Sequence, residues 1–301
     1  MKRREFLENS ALLSAGLAIT GIMSHNAFAV NPEPAFKISL AQWSLHRALR
    51  QGTIDNLDFP KIARQEFDIG AIEYVNQFFK DKAVESYLAE MKKRAEDYDV
   101  QSVLIMCDGE GRIGDPDQNA RMKSVQNHEK WMNAAKYLGC HSIRVNAASE
   151  GTYQEQQKLA ADGLYRLCKM AERYNINVIV ENHGGLSSNG IWLSEVIKMV
   201  NHPLAGTLPD FGNFRVDKDT VYDPYQGVKE LMPFAKGVSA KSYDFNEKGE
   251  ETTIDYFKMM DIVLAAGYHG RVGIEYEGNN LDEYAGIRAT KKLLERILAE
   301  K

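Results

Sequence analysis

Cysteine is scarce in this chain of 301 residues, which carries only Cys107, Cys140 and Cys168. An odd number without metal-type spacing argues against a disulfide framework and leaves the three as packed thiols. Basic charge is not in excess either. Lys and Arg number 37 against 42 Asp and Glu, a formal net charge of −5, which speaks against a nucleic-acid binder driven by phosphate contacts. No low-complexity tract or Pro/Gly/Ser linker interrupts residues 36–301, so one domain is expected there. A hydrophobic content of 44% and a charged content of 26% belong to an ordinary globular protein.

No apolar run at the start is long enough to span a bilayer, which takes roughly 20 residues. Residues 1–29 read instead as a cleavable export signal. Lys2, Arg3 and Arg4 form the positive region, Ala11 to Met23 the short apolar region, and Ala27-Phe28-Ala29 the cleavage site. Arg3-Arg4 with Phe6-Leu7 resembles a twin-arginine signal, so a periplasmic location without stable membrane insertion is expected. A lipoprotein signal would need a cysteine at the cleavage point, and there is none.

Beyond the signal, strand and helix patterns alternate eight times. The strands are expected at Lys37–Gln42, Ala71–Val75, Gln101–Met106, Ser142–Asn146, Asn177–Glu181, Ala205–Asp210, Gly237–Lys241 and Arg271–Glu275. They are short, rich in Val, Ile and Leu, and lack the alternation of a half-exposed strand. Helical stretches between them include Ala83–Tyr98, Ala120–Leu138, Gln154–Tyr174, Leu193–Val200, Ile254–Ala266 and Leu281–Ala299. Gly70, Gly139 and Gly267 stand where helix C-terminal caps belong. Strand starts about 30 to 35 residues apart match one βα unit, and eight such units close into a (β/α)8 TIM barrel. An open doubly wound sheet would bring a Gly-rich phosphate turn after the first strand. Here that strand runs into Gln42-Trp43-Ser44-Leu45-His46.

Three strands end on a carboxylate: Val178-Ile179-Val180-Glu181, Gly206-Thr207-Leu208-Pro209-Asp210 and Val272-Gly273-Ile274-Glu275. An unpaired charge inside an apolar layer is costly, whereas the carboxyl ends of barrel strands are where this architecture places its chemistry. Strand parity sharpens the site. With Glu181 and Glu275 inward, Ser239, Lys241, Arg144, Asn146 and Glu73 also point in, while their apolar neighbours face the helices. His183 has the inward parity just past Glu181. Trp43 and His46 follow the first strand and resemble substrate-wall residues, with a packing role for Trp43 as the alternative. Glu73 fits either a substrate contact or an internal salt bridge, and the strand-end carboxylates themselves could be paired with Arg144 or Lys241 as barrel struts. His141, His202 and His269 precede strands and fit structural roles. Cys107 to Gly111 and Phe214 to Tyr225 read as long βα loops that could serve as lids.

Glu181-Asn182-His183, Asp210-Phe211-Gly212-Asn213, Ala240-Lys241-Ser242 and Glu275-Tyr276-Glu277, in this order on the last four strands, resemble the sugar phosphate isomerase/epimerase family. That family has the xylose isomerase-like barrel, shared with ketose 3-epimerases, inosose dehydratases and the endonuclease IV group. The resemblance implies one divalent ion, Mn²⁺ first with Mg²⁺, Co²⁺ or Zn²⁺ as alternatives, held by Glu181, Asp210 and Glu275. The family's histidine two residues before the lysine is Ser239 here, and its histidine three after the aspartate is Asn213. The fourth ligand is therefore open between Ser239, His183 and water.

The resemblance further implies that Glu181 and Glu275 move a proton next to a carbonyl, with His183, Lys241, Arg144, Asn146, Trp43, His46, Glu73 and Ser239 around a small carbohydrate substrate. A lyase or dehydratase on a keto-sugar or inosose, and a non-catalytic periplasmic sugar-binding barrel, are the alternatives. A multi-zinc nuclease would need a His-rich site and a basic groove that this chain lacks. Oligomeric state stays open, homo-oligomers included.

Overall fold

From the second strand onward, the strands follow helical segments that are made to stop. Gly139 takes a left-handed φ of 83° immediately after Glu129–Leu138, and Gly267 does so at 78° one residue beyond the cap of Tyr256–Ala265. Gly70 is not a cap. Asp68 supplies the left-handed residue (φ 49°), and Gly70 lies against the Arg64 guanidinium, to which a Cβ there would come within 2.8 Å.

The structure is a computed structural model that describes residues 33–301. The proposed signal at residues 1–29 lies outside the described residues. The first half of the barrel runs β1 (Lys37–Ala41), α1 (His46–Gln51), α2 (Phe59–Phe67), β2 (Ala71–Val75), α3 (Glu85–Asp97), β3 (Gln101–Met106), α4 (Gln118–Asn127), α5 (Glu129–Leu138) and β4 (Ser142–Val145). The second half runs α6 (Tyr153–Ala171), β5 (Asn177–Glu181), α7 (Gly190–Val200), β6 (Ala205–Leu208), α8 (Pro224–Leu231), β7 (Val238–Ser242), α9 (Tyr256–Ala265), β8 (Arg271–Tyr276) and α10 (Glu283–Glu300).

All ladders are parallel, in the order β6-β5-β4-β3-β2-β1-β8-β7. The ends of that order meet through two single bridges, Thr207 with Ala235 and Asp210 with Ser239. Ser239 donates its N–H to Pro209 O (2.9 Å), and Phe211 donates to Ser239 O (3.1 Å). The barrel thus closes at the level of Asp210.

The parity expected from the sequence holds. Ile72, Tyr74, Ile143, Val145, Val178, Val180, Val238, Ala240, Val272 and Ile274 pack outward in the core beneath the helices. A separate interior cluster holds Ala41, Ala71, Val75, Val103, Leu104, Met106, Ile179 and Leu208. Apolar side chains fill that inner core, and polar ones occupy the layer at the carboxyl end. All three cysteines are buried and free. Among the described residues, no helix is long and apolar enough to cross a membrane.

Local details differ from or add to these expectations. The helix expected over Ala120–Leu138 is two helices, separated at His128, whose Nδ1 lies 2.8 Å from Ser124 O. The third strand shifts register against the second between Ile72 and Glu73. The long loop expected from Phe214 is present, with Phe214 itself buried, but it ends at Asp223, which caps α8 by accepting from Gln226 N at 2.8 Å, so Tyr225 is helical.

Candidate metal centre

Strand geometry brings the three strand-end carboxylates to one point. Glu181, Asp210 and Glu275 are all buried, and one oxygen from each lies within 4.8 Å of the others. Asp210 is held by its own turn, its Oδ1 accepting from the N–H groups of Gly212 (2.8 Å) and Asn213 (2.9 Å). Asn182 clamps it to the neighbouring strand end, accepting from Asp210 N (2.8 Å) and donating to Asp210 O (3.0 Å). Gly212 is required because a Cβ would sit 2.6 Å from the Tyr243 hydroxyl and 2.9 Å from Cγ of Lys241.

Two cations enter this layer. Arg144 places Nε 2.8 Å from Glu181 Oε2 and donates from Nη1 to Asp108 (2.7 Å). Lys241, with 2% of its side chain exposed, has Nζ 2.7 Å from Glu275, 3.0 Å from Glu277 and 3.7 Å from Asp210. Burial alone would lower the pKa of Lys241, but Asp210, Glu275 and Glu277 outweigh it and keep the ammonium charged. This disfavours a nucleophilic amine. Ser239 donates to Asp210 Oδ2 (2.8 Å) and lies 3.3 Å from Glu275 Oε2.

The strut pairings considered from the sequence are therefore present, but they do not balance the layer. Among the described residues, five carboxylates (Asp108, Glu181, Asp210, Glu275 and Glu277) face two cations. Glu181 and Asp210 show the deficit. Burial raises both pKa values, and repulsion from the other acids adds to it, with Arg144 and Lys241 as the opposing influences. Oε2 of Glu181 is buried without an aligned hydrogen bond, even beside Arg144, a costly state that a bound cation would relieve. The donors are oxygens only, which suits a hard divalent ion such as Mn²⁺ or Mg²⁺. The residues fit such an ion.

The rim is partly as expected. Trp43 is half-buried, stacked on His46 with ring centroids 4.9 Å apart, and covered by the Arg50 guanidinium at 4.8 Å. Asn146 lies beside Arg144 and donates to Asp108 (2.8 Å). His183 is exposed and lines a hollow with Gly184, Ser188, Gly212, Asn213, Arg215 and Tyr243, so it stands apart from the three converging oxygens.

Sequence reasoning missed three residues. Asp108, with a pKa lowered to about 2 because Arg144 and Asn146 outweigh its burial, anchors Arg144. Asn213 donates to Glu181 Oε1 (3.1 Å). Glu277 holds Lys241 and the indole N–H of Trp43. The available signal for Glu277 was its inward parity two residues after Glu275.

The sequence pattern of the xylose isomerase-like TIM barrel matches residues 61–297. The chain belongs to that family. Among solved structures, it resembles the 3-keto-D-glucoside 4-epimerase YcjR of E. coli, at 16% identity and TM-score 0.69, over 87% of this chain and 99% of that one. It also resembles a xylose isomerase-like barrel from Mycobacterium smegmatis in complex with magnesium, at 16% identity and TM-score 0.64, over 88% and 96%. A third likeness is to the probable 3-DHS dehydratase AsbF of Bacillus anthracis, at 17% identity and TM-score 0.63, over 86% and 99%. None of the curated protein sequences matches this chain.

In this xylose isomerase-like barrel Glu73 sits inside, with no cation among the described residues at ion-pair distance. Ser39 donates to its Oε1 (2.6 Å), and Oε2 has no partner. Gly273 leaves it room, since a Cβ there would lie 2.5 Å from Oε1. The salt-bridge expectation for Glu73 is thereby corrected. Burial is the main cause that raises its pKa from 4.5 to about 7.

A carboxyl whose folded pKa is raised stabilises the fold fully below its unfolded pKa, and that contribution is lost as pH rises through the folded value. Between pH 5 and pH 8 this group should therefore cost the protein about 2 kcal/mol. Glu73→Gln should flatten the pH dependence of urea unfolding by that amount, and equal slopes in both proteins would refute the assignment.

Proposed function

We propose that this chain is a divalent-metal-dependent sugar isomerase or epimerase that transfers a proton next to a carbonyl. The observation that carries the reading is the convergence of Glu181, Asp210 and Glu275 in a buried layer with too few cations to neutralise it. A divalent ion in that seat, Mn²⁺ first, would polarise a substrate carbonyl and acidify the neighbouring C–H.

The chain's own residues supply the rest. Glu181 is oriented by Asn213 and Arg144, which fixes its carboxylate as a group that can take and return a proton. Glu275, fixed by Lys241 and Ser239 on another strand, is the second carboxylate of the pair. Lys241 and Arg144 remain charged and can bind substrate oxygens. Trp43 offers an aromatic wall with its polar edge tied to Glu277. His183, His46 and Asn146 complete the rim around a small carbohydrate. Loss of a leaving group after proton removal would turn the same centre into a lyase.

The reading is tested in two steps. Metal-stripped protein should take up about one Mn²⁺ per chain, and Asp210→Asn should weaken uptake at least about tenfold. Glu181→Gln and Glu275→Gln should each abolish turnover in a screen of ketoses and keto-glycosides while substrate binding remains measurable. In heavy water the wild type should exchange a substrate C–H beside the carbonyl. Turnover without any such exchange would remove the proton-transfer mechanism.

We also propose export by residues 1–29 to the periplasm, supported by Arg3-Arg4 and Ala27-Phe28-Ala29. Arg3→Lys with Arg4→Lys should block export of a fused reporter, and undiminished export would reject the twin-arginine assignment.

A further inference from the structure

Glu277 is a barrel-mouth carboxylate to which the proposed reaction gives no role. Its backbone N–H donates to Ser242 O (2.9 Å), which ties it to β7 just beyond the end of β8. Its Oε2 lies 3.0 Å from Lys241 Nζ, and its Oε1 accepts the indole N–H of Trp43. Burial would raise its pKa, but Lys241 and Trp43 outweigh that and hold it ionised.

The position of the Lys241 ammonium gives this contact its meaning. Nζ is shared between Glu277, outside the triad, and Glu275 and Asp210, within it, at 3.0, 2.7 and 3.7 Å. The lysine is enclosed, so its charge cannot retreat into solvent. A monovalent cation a few ångströms from Asp210 repels a divalent ion on the same carboxylates, and low local dielectric strengthens that repulsion. Where the ammonium rests therefore bears directly on how tightly the triad holds an ion. Without the Glu277 charge, its remaining ion-pair partners among the described residues would be the triad carboxylates Glu275 and Asp210.

We propose that Glu277 is a positioning residue that draws the Lys241 ammonium off the metal seat, with the Trp43 N–H pinning Glu277 for that task. The proposal rests on the reading of Glu181, Asp210 and Glu275 as a divalent site, and goes beyond it by assigning control of that site to a residue that is not a ligand. A simpler effect must be separated from it: Glu277 could favour an ion merely by adding negative charge. That effect acts whether or not Lys241 is present, whereas positioning requires Lys241.

Calorimetric titration of Mn²⁺ into metal-stripped protein distinguishes them. Glu277→Gln should weaken binding about tenfold in the wild-type background, and Lys241→Met should tighten it. In the Lys241→Met background, Glu277→Gln should change affinity by less than about twofold. Trp43→Phe should weaken binding in the same direction by a smaller factor, and Glu277→Asp, which keeps the charge, should recover part of the loss. Circular dichroism establishes that each variant is folded. Equal weakening by Glu277→Gln in both backgrounds, or none in either, would overturn the proposal. Wild-type protein that takes up no Mn²⁺ would instead overturn the metal reading, and this inference with it.

Discussion

The structure depends on a charge imbalance in the layer at the carboxyl end of the barrel, whose central carboxylates are buried. Five carboxylates and two cations share the carboxyl end of the barrel, and Glu181, Asp210 and Glu275 are at most a few per cent exposed. Burying one unpaired carboxylate is expensive, and burying several side by side is more so. The surrounding features reduce that cost. Asn182 and two backbone N–H groups hold Asp210, Asn213 and Arg144 hold Glu181, and Ser239 and Lys241 hold Glu275. What they leave uncompensated is the physical basis for a cation site.

Barrel closure and site formation are the same event. The seam between β6 and β7 has no continuous ladder, only the bridges at Thr207 and Asp210. The upper bridge pairs Asp210 with Ser239, so the residue that closes the sheet is also a triad member. Ser239 joins the seam by its backbone and the site by its hydroxyl. A histidine in its place, as the family resemblance would have it, would bring a nitrogen donor and a larger ring to a position where this chain has a short hydroxyl. The oxygen-only donor set follows from that substitution.

Polar side chains also reach below the triad. Glu73 occupies space that Gly273 leaves open, its carboxylate hydrogen-bonded to Ser39. The interior cluster of Leu104, Met106, Ile179 and Leu208 offers no cation to it. Its carboxyl is accommodated mainly by a raised pKa rather than by a partner, a different solution from the paired carboxylates above it.

Much was determined by the sequence alone. Eight short apolar runs separated by helical patterns specified the parallel barrel, because period and helix stops are local properties that a single chain segment carries. Strand parity placed Glu181, Glu275, Ser239, Lys241 and Arg144 on one inner face, since alternation needs no knowledge of neighbours. Tertiary structure decided the pairings. That Arg144 bridges Asp108 and Glu181, that Lys241 is divided among Asp210, Glu275 and Glu277, and that Glu73 has no cation all depend on register between strands and on depth along the barrel axis. Contacts between residues tens of positions apart arise only once the sheet has closed, and the charge balance of the site is made of such contacts.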